Sequence, residues 1–315
     1  MKSMLTVFTP TYNRAHTLHL CYESLKRQTC NDFFWLIIDD GSTDHTKELV
    51  EAWMEEGKIQ IQYHYQDNQG MHGAHNTAYE IIDTELNVCI DSDDYMADDA
   101  VEKIVSFWSR YGSVQYAGIV GLDAAPGGQV IGTAMPKELE ASRLNDLYAK
   151  WKVKGDKKLV YRSELTRATP PYPLFSGEKY CPLSYKYLLI DQMYPLLILN
   201  EVLCYVEYRL DGSSMNMIRQ YRNNPRGFAF FRRVAMTFAP SYKERFREAV
   251  HYVSSSMFSR NKNFIADSPF RWTTVLAIPL GALLYLYIQR GNQPQPVRNP
   301  RSSRKVGTST GSGDK

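Results

Sequence analysis

The sequence predicts an α/β protein: a Rossmann-like, doubly wound, mostly parallel sheet with a C-terminal amphipathic, membrane-associated helical extension. Three observations predict it. Strand and helix patterns alternate four times in the first ~110 residues, the signature of a parallel sheet wound on both faces. Each of these strands runs into a polar cluster, and in such sheets the carboxyl ends of the strands converge on one crevice. The last third breaks the alternation, first with a basic, aromatic stretch and then with a long uncharged one.

The chain opens with Leu5-Thr6-Val7-Phe8-Thr9-Pro10-Thr11-Tyr12-Asn13-Arg14, a β-prone run entering a Pro/Asn turn. A helical pattern follows from about Thr17 to Gln28. Phe33 to Ile38 is continuously apolar, as expected of a strand covered on both faces, and it ends in Asp39-Asp40-Gly41-Ser42-Thr43-Asp44. A helix is expected over Thr46 to Glu56 and a strand over Ile59 to Tyr65. Asn68-Gln69-Gly70-Met71-His72-Gly73-Ala74-His75-Asn76 then leads into another helix. The apolar run Leu86 to Ile90 reads as a buried strand ending in Asp91-Ser92-Asp93-Asp94. Three acids within four residues repel one another, and a divalent cation shared with a diphosphate would neutralise them. The plainer reading is a solvated acidic turn capping a helix that starts near Ala97.

Four segments together resemble family 2 glycosyltransferases with the A-type nucleotide-sugar fold. They are Thr9-Pro10-Thr11-Tyr12-Asn13-Arg14, Ile38 to Asp44, Asn68-Gln69-Gly70 with His75-Asn76, and Asp91 to Asp94. They occur in the family's order and spacing, and the close resemblance covers roughly the first 125 residues. The resemblance implies an inverting, single-addition enzyme of bacterial type. It divides the chain into a catalytic domain over 1–216, with a nucleotide-sugar half to about 125 and an acceptor half from about 126. It also assigns roles. Asp39 reads the uracil, Pro10 and Tyr12 wall the base, and His75 contacts the nucleotide. Asp93 holds the ribose and diphosphate, and Asp91, Asp93 and Asp94 hold Mn2+ or Mg2+. Asp40 to Asp44 read equally as an N-terminal cap for the next helix.

The acceptor half is expected to supply the base. Gly118 to Gly132 contains a hairpin-like turn, Asp123-Ala124-Ala125-Pro126-Gly127-Gly128. A short helix over Leu144 to Trp151 and a strand over Lys158 to Arg162 follow. The family's paired acids are reduced here to Gly177-Glu178-Lys179, so the resemblance gives the base to Glu178, with Asp191 in reserve. Glu178 reads equally as an acid at a helix N-terminus, paired with Lys179 or an arginine. Leu196 to Tyr208 reads as a strand and Asp211 to Asn216 as a turn.

A chain of 315 residues holds one large α/β domain plus additions. Its net charge of +3 argues against a nucleic-acid partner. Cys21, Cys30, Cys89, Cys181 and Cys204 show no zinc or redox spacing and read as reduced thiols of a cytosolic compartment. No signal-like lead precedes the first strand.

Between Arg219 and Arg247 eight basic residues face a single acid, Glu244, with seven aromatics interleaved. This reads as a helical pair with a solvated basic face, or as a segment on an anionic membrane. Thr273 to Ile288 is sixteen residues without a charge, at or below the ~17 needed to span a bilayer, and Pro279 and Gly281 interrupt it. A membrane-embedded or interfacial hairpin or helix is expected over 273–288, with a buried core helix as the plainer alternative, within a basic, aromatic region over 217–290 that is followed by a disordered basic tail over 291–315.

The parts predict transfer of a hexose or N-acetylhexosamine from a UDP-sugar to a hydroxyl of a lipid-linked or oligosaccharide acceptor. The setting is the cytoplasmic face of the membrane, in cell-surface polysaccharide assembly. The Gln-x-x-Arg-Trp motif of processive members is absent. A nucleotidyltransferase would need a glycine-rich basic loop after the first strand, which Pro10 to Arg14 lacks. A non-catalytic nucleotide-binding protein of the membrane surface is the other alternative, supported by the broken acid pair at Glu178.

Overall fold

The computed structural model describes residues 3–206 and 217–290. The predicted turn over 211–216 and the tail over 291–315 lie outside them. The first half alternates as expected: β1 (Leu5–Thr11), α1 (Ala15–Lys26), β2 (Phe33–Asp39), α2 (Thr46–Glu56), β3 (Ile61–Tyr65), α3 (Met71–Ile81) and β4 (Leu86–Cys89). Next come β5 (Tyr95–Met96), α4 (Ala100–Tyr111), β6 (Gly118–Ala124), β7 (Ala141–Ser142), α5 (Leu144–Ala149), β8 (Lys157–Arg162), α6 (Ser163–Ala168), α7 (Ser184–Asp191) and β9 (Leu196–Tyr205). The chain resumes with α8 (Met217–Asn223), α9 (Pro225–Phe238), α10 (Tyr242–Phe258) and α11 (Arg271–Arg290).

The sheet runs β3-β2-β1-β4-β8-β6-β9-β5, with β7 pairing β9. Strands β3, β2, β1 and β4 are parallel, and β1 pairs in register with both neighbours, Val7 against Trp35 and Val88. Beyond β4 the sheet is mixed: β8 is antiparallel to both β4 and β6, while β6 and β9 are parallel. The parallel half follows from its helical crossovers. The mixed half is set by an order in space that the local patterns do not carry, because β8 inserts between β4 and β6 from 68 residues downstream of Cys89 (157 − 89).

Continuous apolar strands are covered on both faces here. Phe33, Trp35 and Ile37 of β2 pack with α1, α2 and α4 side chains such as Leu18, Trp53 and Ile104. Leu36 and Ile38 point the other way, against Ala74, Ala78 and Tyr79 of α3 and Tyr185 of α7. Trp35 is fully buried, stacks near Trp53 and Tyr22, and donates its indole N–H to Thr9 Oγ1 at 2.9 Å. Burying a side chain of that size contributes about 2–3 kcal/mol, and the satisfied N–H avoids the penalty of a lost partner.

The C-terminal region is a helical bundle. Met236, Ala249, Tyr252, Val253 and Ala277 form its core, with Phe246, Phe264 and Phe270 packed around them. The uncharged segment is not a hairpin. It is one helix of 20 residues running through Pro279 and Gly281, lengthened at both ends by Arg271-Trp272 and Gln289-Arg290. With only 28% of its most apolar window buried, it is not a core helix either.

Candidate active site

The carboxyl ends of β1, β2 and β4 lie side by side, and their loops are tied to one another. Asn13, held at φ +53°, accepts from the N–H groups of Thr43 and Asp44 through its side-chain oxygen, at 2.8 and 3.3 Å. Its own N–H donates to Ser42 Oγ at 2.8 Å. Asp44 accepts from the N–H groups of Ala15 and Thr46 and from the Thr46 hydroxyl, so it joins the two loops and opens α2. Burial opposes its ionisation, but the hydroxyl and N–H donors outweigh that and hold its carboxyl below the usual value.

Asp39, at the end of β2, is buried and fixed. It accepts from Ser42 N–H at 2.8 Å and from the Tyr63 hydroxyl at 2.6 Å. Asp40 faces the next loop: it accepts from Gln66 Nε2, from Gln69 N–H and from Gly70 N–H at 2.6–2.8 Å. Burial raises the Asp40 carboxyl, and these three donors oppose the rise. Pro10 is half-buried and Tyr12 is 49% exposed, so the tyrosine ring is open to a stacking partner.

Gly70 explains why the 68–70 loop sits where it does. Its φ is +82°, and a Cβ there would lie 2.0 Å from the Lys179 carbonyl oxygen. The loop carrying Glu178 and Lys179 therefore packs directly on the 68–70 loop, and Lys179 Nζ bonds the Asn68 carbonyl. Gly70→Ala is expected to lose about 1–3 kcal/mol from backbone strain alone, with more from separating the two loops. Urea denaturation checks this, and unchanged stability would refute the close approach.

The acidic turn follows β4. Asp94 N–H bonds the Asp91 carbonyl at 3.0 Å, and the Cys21 thiol reaches the carbonyls of Asp91 (3.3 Å) and Asp94 (3.0 Å) from beneath. Asp91 is exposed, Asp93 half-buried and Asp94 buried. Burial, with Asp91, Asp93 and Asp123 adding repulsion, pushes the Asp94 carboxyl up to about 8; Lys158 works against it. Lys158 reaches this place from β8, its Nζ 3.4 Å from the Cys89 carbonyl and 3.8 Å from Asp123 Oδ1. No three His, Cys, Asp or Glu side chains converge as metal ligands among the described residues. The three-carboxylate metal set expected from the turn is thus not assembled, because Asp94 is buried while Asp91 faces solvent. The two more accessible acids still fit a hard cation that takes one or two carboxylates and completes its shell with phosphate oxygens and water.

Glu178 is buried at the N-terminus of α9. Its oxygens accept from Arg226 N–H (3.0 Å), Arg226 Nε (2.9 Å) and Gly227 N–H (2.9 Å). It therefore does the work of a helix-terminal acid paired with an arginine. Asp191 is likewise occupied, accepting from Leu144 N–H (2.5 Å) and Asn145 N–H (3.1 Å) at the start of α5.

His75 is not at the crevice. Its ring is fully buried, edge-on to Phe8, Tyr79 and Tyr172, with Nδ1 2.9 Å from the Met71 carbonyl. The helix begins at Met71, which turns this position inward. His72 is buried as well. Burial pushes each imidazole down to about 4. A depressed histidine contributes stability that is present above its unfolded value near 6.5 and lost as pH falls through 4. At about 1.4 kcal/mol per pKa unit, His75 accounts for roughly 3 kcal/mol across that window. Urea titrations between pH 7 and 4 are expected to show the loss, and His75→Phe to flatten it; parallel curves would contradict the assignment.

Sequence reasoning missed Tyr63, Lys158 and Asp123. Asp123 is a lone charge in the otherwise apolar β6, whereas Tyr63 and Lys158 sit in strands with other polar residues, so nothing local marked them.

A family model, Glycosyl transferase family 2, matches residues 6–135. The chain is similar to a teichoic acid poly(glycerol phosphate) polymerase of Staphylococcus epidermidis, 33% identical over 98 residues, which cover 31% of this chain and 14% of that protein. It is also similar to the glycosyltransferase GlyG of Streptococcus pneumoniae serotype 4, 28% identical over 105 residues, covering 33% of this chain and 35% of that one. The aligned part thus spans 35% or less of these two relatives. In three dimensions the chain resembles S. aureus TarS 1–349 in complex with UDP-GlcNAc, with a TM-score of 0.57 and 20% identity over 87% of this chain and 79% of that one. The mannosyltransferase PcManGT from Pyrobaculum calidifontis, in complex with GDP-Man and Mn2+, gives 0.53 and 16% over 91% and 88%. At these identities the structural likeness establishes the fold.

Proposed function

The chain belongs to glycosyl transferase family 2 through residues 6–135, and from that premise we propose that it moves a hexose or N-acetylhexosamine from a UDP-sugar to an acceptor hydroxyl, with inversion at the anomeric carbon. The observation that carries the reading is the acidic turn after β4, set beside the buried Asp39 and the open ring of Tyr12. Tyr12 stacks on the uracil, with Pro10 behind it, and Asp39 accepts the imide N–H once the Tyr63 hydroxyl yields its place. Asp91 and Asp93 would hold Mn2+ or Mg2+ with the diphosphate, and Asp94 supports the turn from within. When bound, the cation supplies positive charge to the departing diphosphate.

The base is Glu178. Its loop packs on the donor loop at Gly70, and its carboxylate takes the acceptor proton once the exposed Arg226 side chain yields its place. Asp191, turned to α5, is left out of the mechanism. A lipid-linked glycan at the cytoplasmic face of the membrane is the acceptor that suits a catalytic unit carrying an exposed apolar helix.

Binding of UDP, GDP and dTDP, each with and without Mn2+, tests the donor half. Metal-dependent preference for UDP is expected. Absence of metal-dependent diphosphate binding to any of the three would overturn the reading.

A further inference from the structure

Helix α11 presents two unlike faces. Thr273, Thr274, Ala277, Gly281 and Ile288 are buried. Gly281 lets the helix sit against α10: a Cβ there would come within 2.5 Å of Val253 Cβ and Cγ1. The opposite face is apolar and open. Trp272 (84% exposed), Val275, Leu276 (63%), Leu280, Leu283 (62%), Leu286 and Tyr287 (65%) recur at intervals of three and four, so they form one ridge along the whole helix. Seven large apolar side chains in one unpartnered stripe are far more than the scattered exposed hydrophobics of an ordinary surface.

We propose that this ridge is a docking surface for an anionic lipid monolayer, and that α11 lies in the plane of the membrane rather than across it. The reading does not depend on the transfer reaction. Three observations choose the occupant. The ridge contains no acid, and exposed Arg271 and Arg290 close its two ends. The connection from α10 adds exposed Arg260 and Lys262 against a single acid, Asp267, which accepts from Asn261. Beyond Arg290 the sequence adds five basic residues, Arg298, Arg301, Arg304, Lys305 and Lys315, and one acid, Asp314. Basic residues beside an apolar insertion are what anionic headgroups attract. Trp272 and Tyr287 stand near opposite ends of the ridge, and such amphipathic rings favour the headgroup boundary.

Orientation follows from packing. A helix of 20 residues is ~30 Å long, enough to span by length alone. But α10 runs alongside it in the same direction: Arg245 lies over Phe270 at 4.1 Å, Val253 meets Gly281, and Phe258 meets Tyr285 at 4.5 Å. Between the first two of these contacts α10 carries Glu248, paired with Arg232 and Arg247. A spanning α11 would pull this charged cluster toward the middle of the bilayer, where ionised side chains are costly. Lying flat, the helix immerses only its ridge and keeps α10 in water.

The full chain tests this by flotation with vesicles of phosphatidylcholine, alone or mixed with phosphatidylglycerol. Binding is expected to the mixed vesicles. Leu276→Glu with Leu280→Glu is expected to reduce it at least tenfold while circular dichroism and UDP affinity stay as in the parent chain. In membrane vesicles with the cytoplasmic face outward, added trypsin is expected to cut at Arg298 and Arg301. Unaltered flotation of the double variant would overturn the proposal, as would protection of the tail, which means a span. Self-association that the double variant abolishes, without vesicle binding, would also overturn it, because the ridge would then belong to a second copy.

Discussion

Replacing Asp93 by asparagine is expected to lower the transfer rate by about 10²- to 10³-fold and to remove metal-dependent affinity for the nucleoside diphosphate. The size is that of losing one preorganised electrostatic contact to a group on which charge develops. Asparagine keeps the shape of the side chain and leaves the backbone bond from Asp94 N–H to the Asp91 carbonyl untouched, so the turn persists. Only the charge is lost, and with it one of the two accessible carboxylates that would hold the cation. Steady-state transfer and calorimetric titration of UDP with Mn2+ measure the two effects. A variant that retains both would reduce the cluster to a solvated acidic turn.

Glu178→Gln is expected to lower kcat by about 10²- to 10⁴-fold with little change in UDP affinity, the mark of a lost general base. The amide still accepts on one side, but its NH2 must face one of the N–H groups of Arg226 or Gly227 that the carboxylate now satisfies. A stability loss of about 1–3 kcal/mol therefore accompanies the rate loss. The two roles separate in the kinetics. A base gives a kcat effect and removes the acid limb of the pH profile; a cap alone lowers stability and leaves the rate within about tenfold of the parent at temperatures where the variant is folded. The second pattern would return the base to another group.

Much of the donor side was legible because it is local. A strand covered on both faces must be apolar throughout, so β2 and β4 announced themselves, and the polar residues that follow each strand fall at the crevice by the geometry of parallel sheets. Helix α2 was bounded to the residue, Thr46 to Glu56, because a cluster of capping side chains precedes it and Gly57 ends it in a left-handed turn. Local logic put Asp39, Asp93 and Tyr12 only at or just beyond strand ends; their roles came from the resemblance to the family. The uncharged C-terminal run was legible as apolar, but its unbroken helical course was not: Pro279 and Gly281 weaken a helix in isolation, and only packing on α10 decides that it continues.

What the sequence determined by itself is the set of elements and the loops on which chemistry gathers. Tertiary structure decided the partners. Lys158 lies 64 residues beyond Asp94 in the chain (158 − 94), and only the antiparallel entry of β8 beside β4 brings them to one place. Tyr63 meets Asp39 because β3 pairs with β2. His75 turned out to be core because its helix starts at Met71, and Glu178 turned out to hold α9 because Arg226 and Gly227, 48 and 49 residues away, point their N–H groups at it. The two faces of α11 were separated by its packing on α10, with α8 adding to the covered side. Periodicity and turn chemistry encode what neighbours in the chain do to each other; which carboxylate finds a cation, a helix end or water is fixed only when distant segments exclude solvent together.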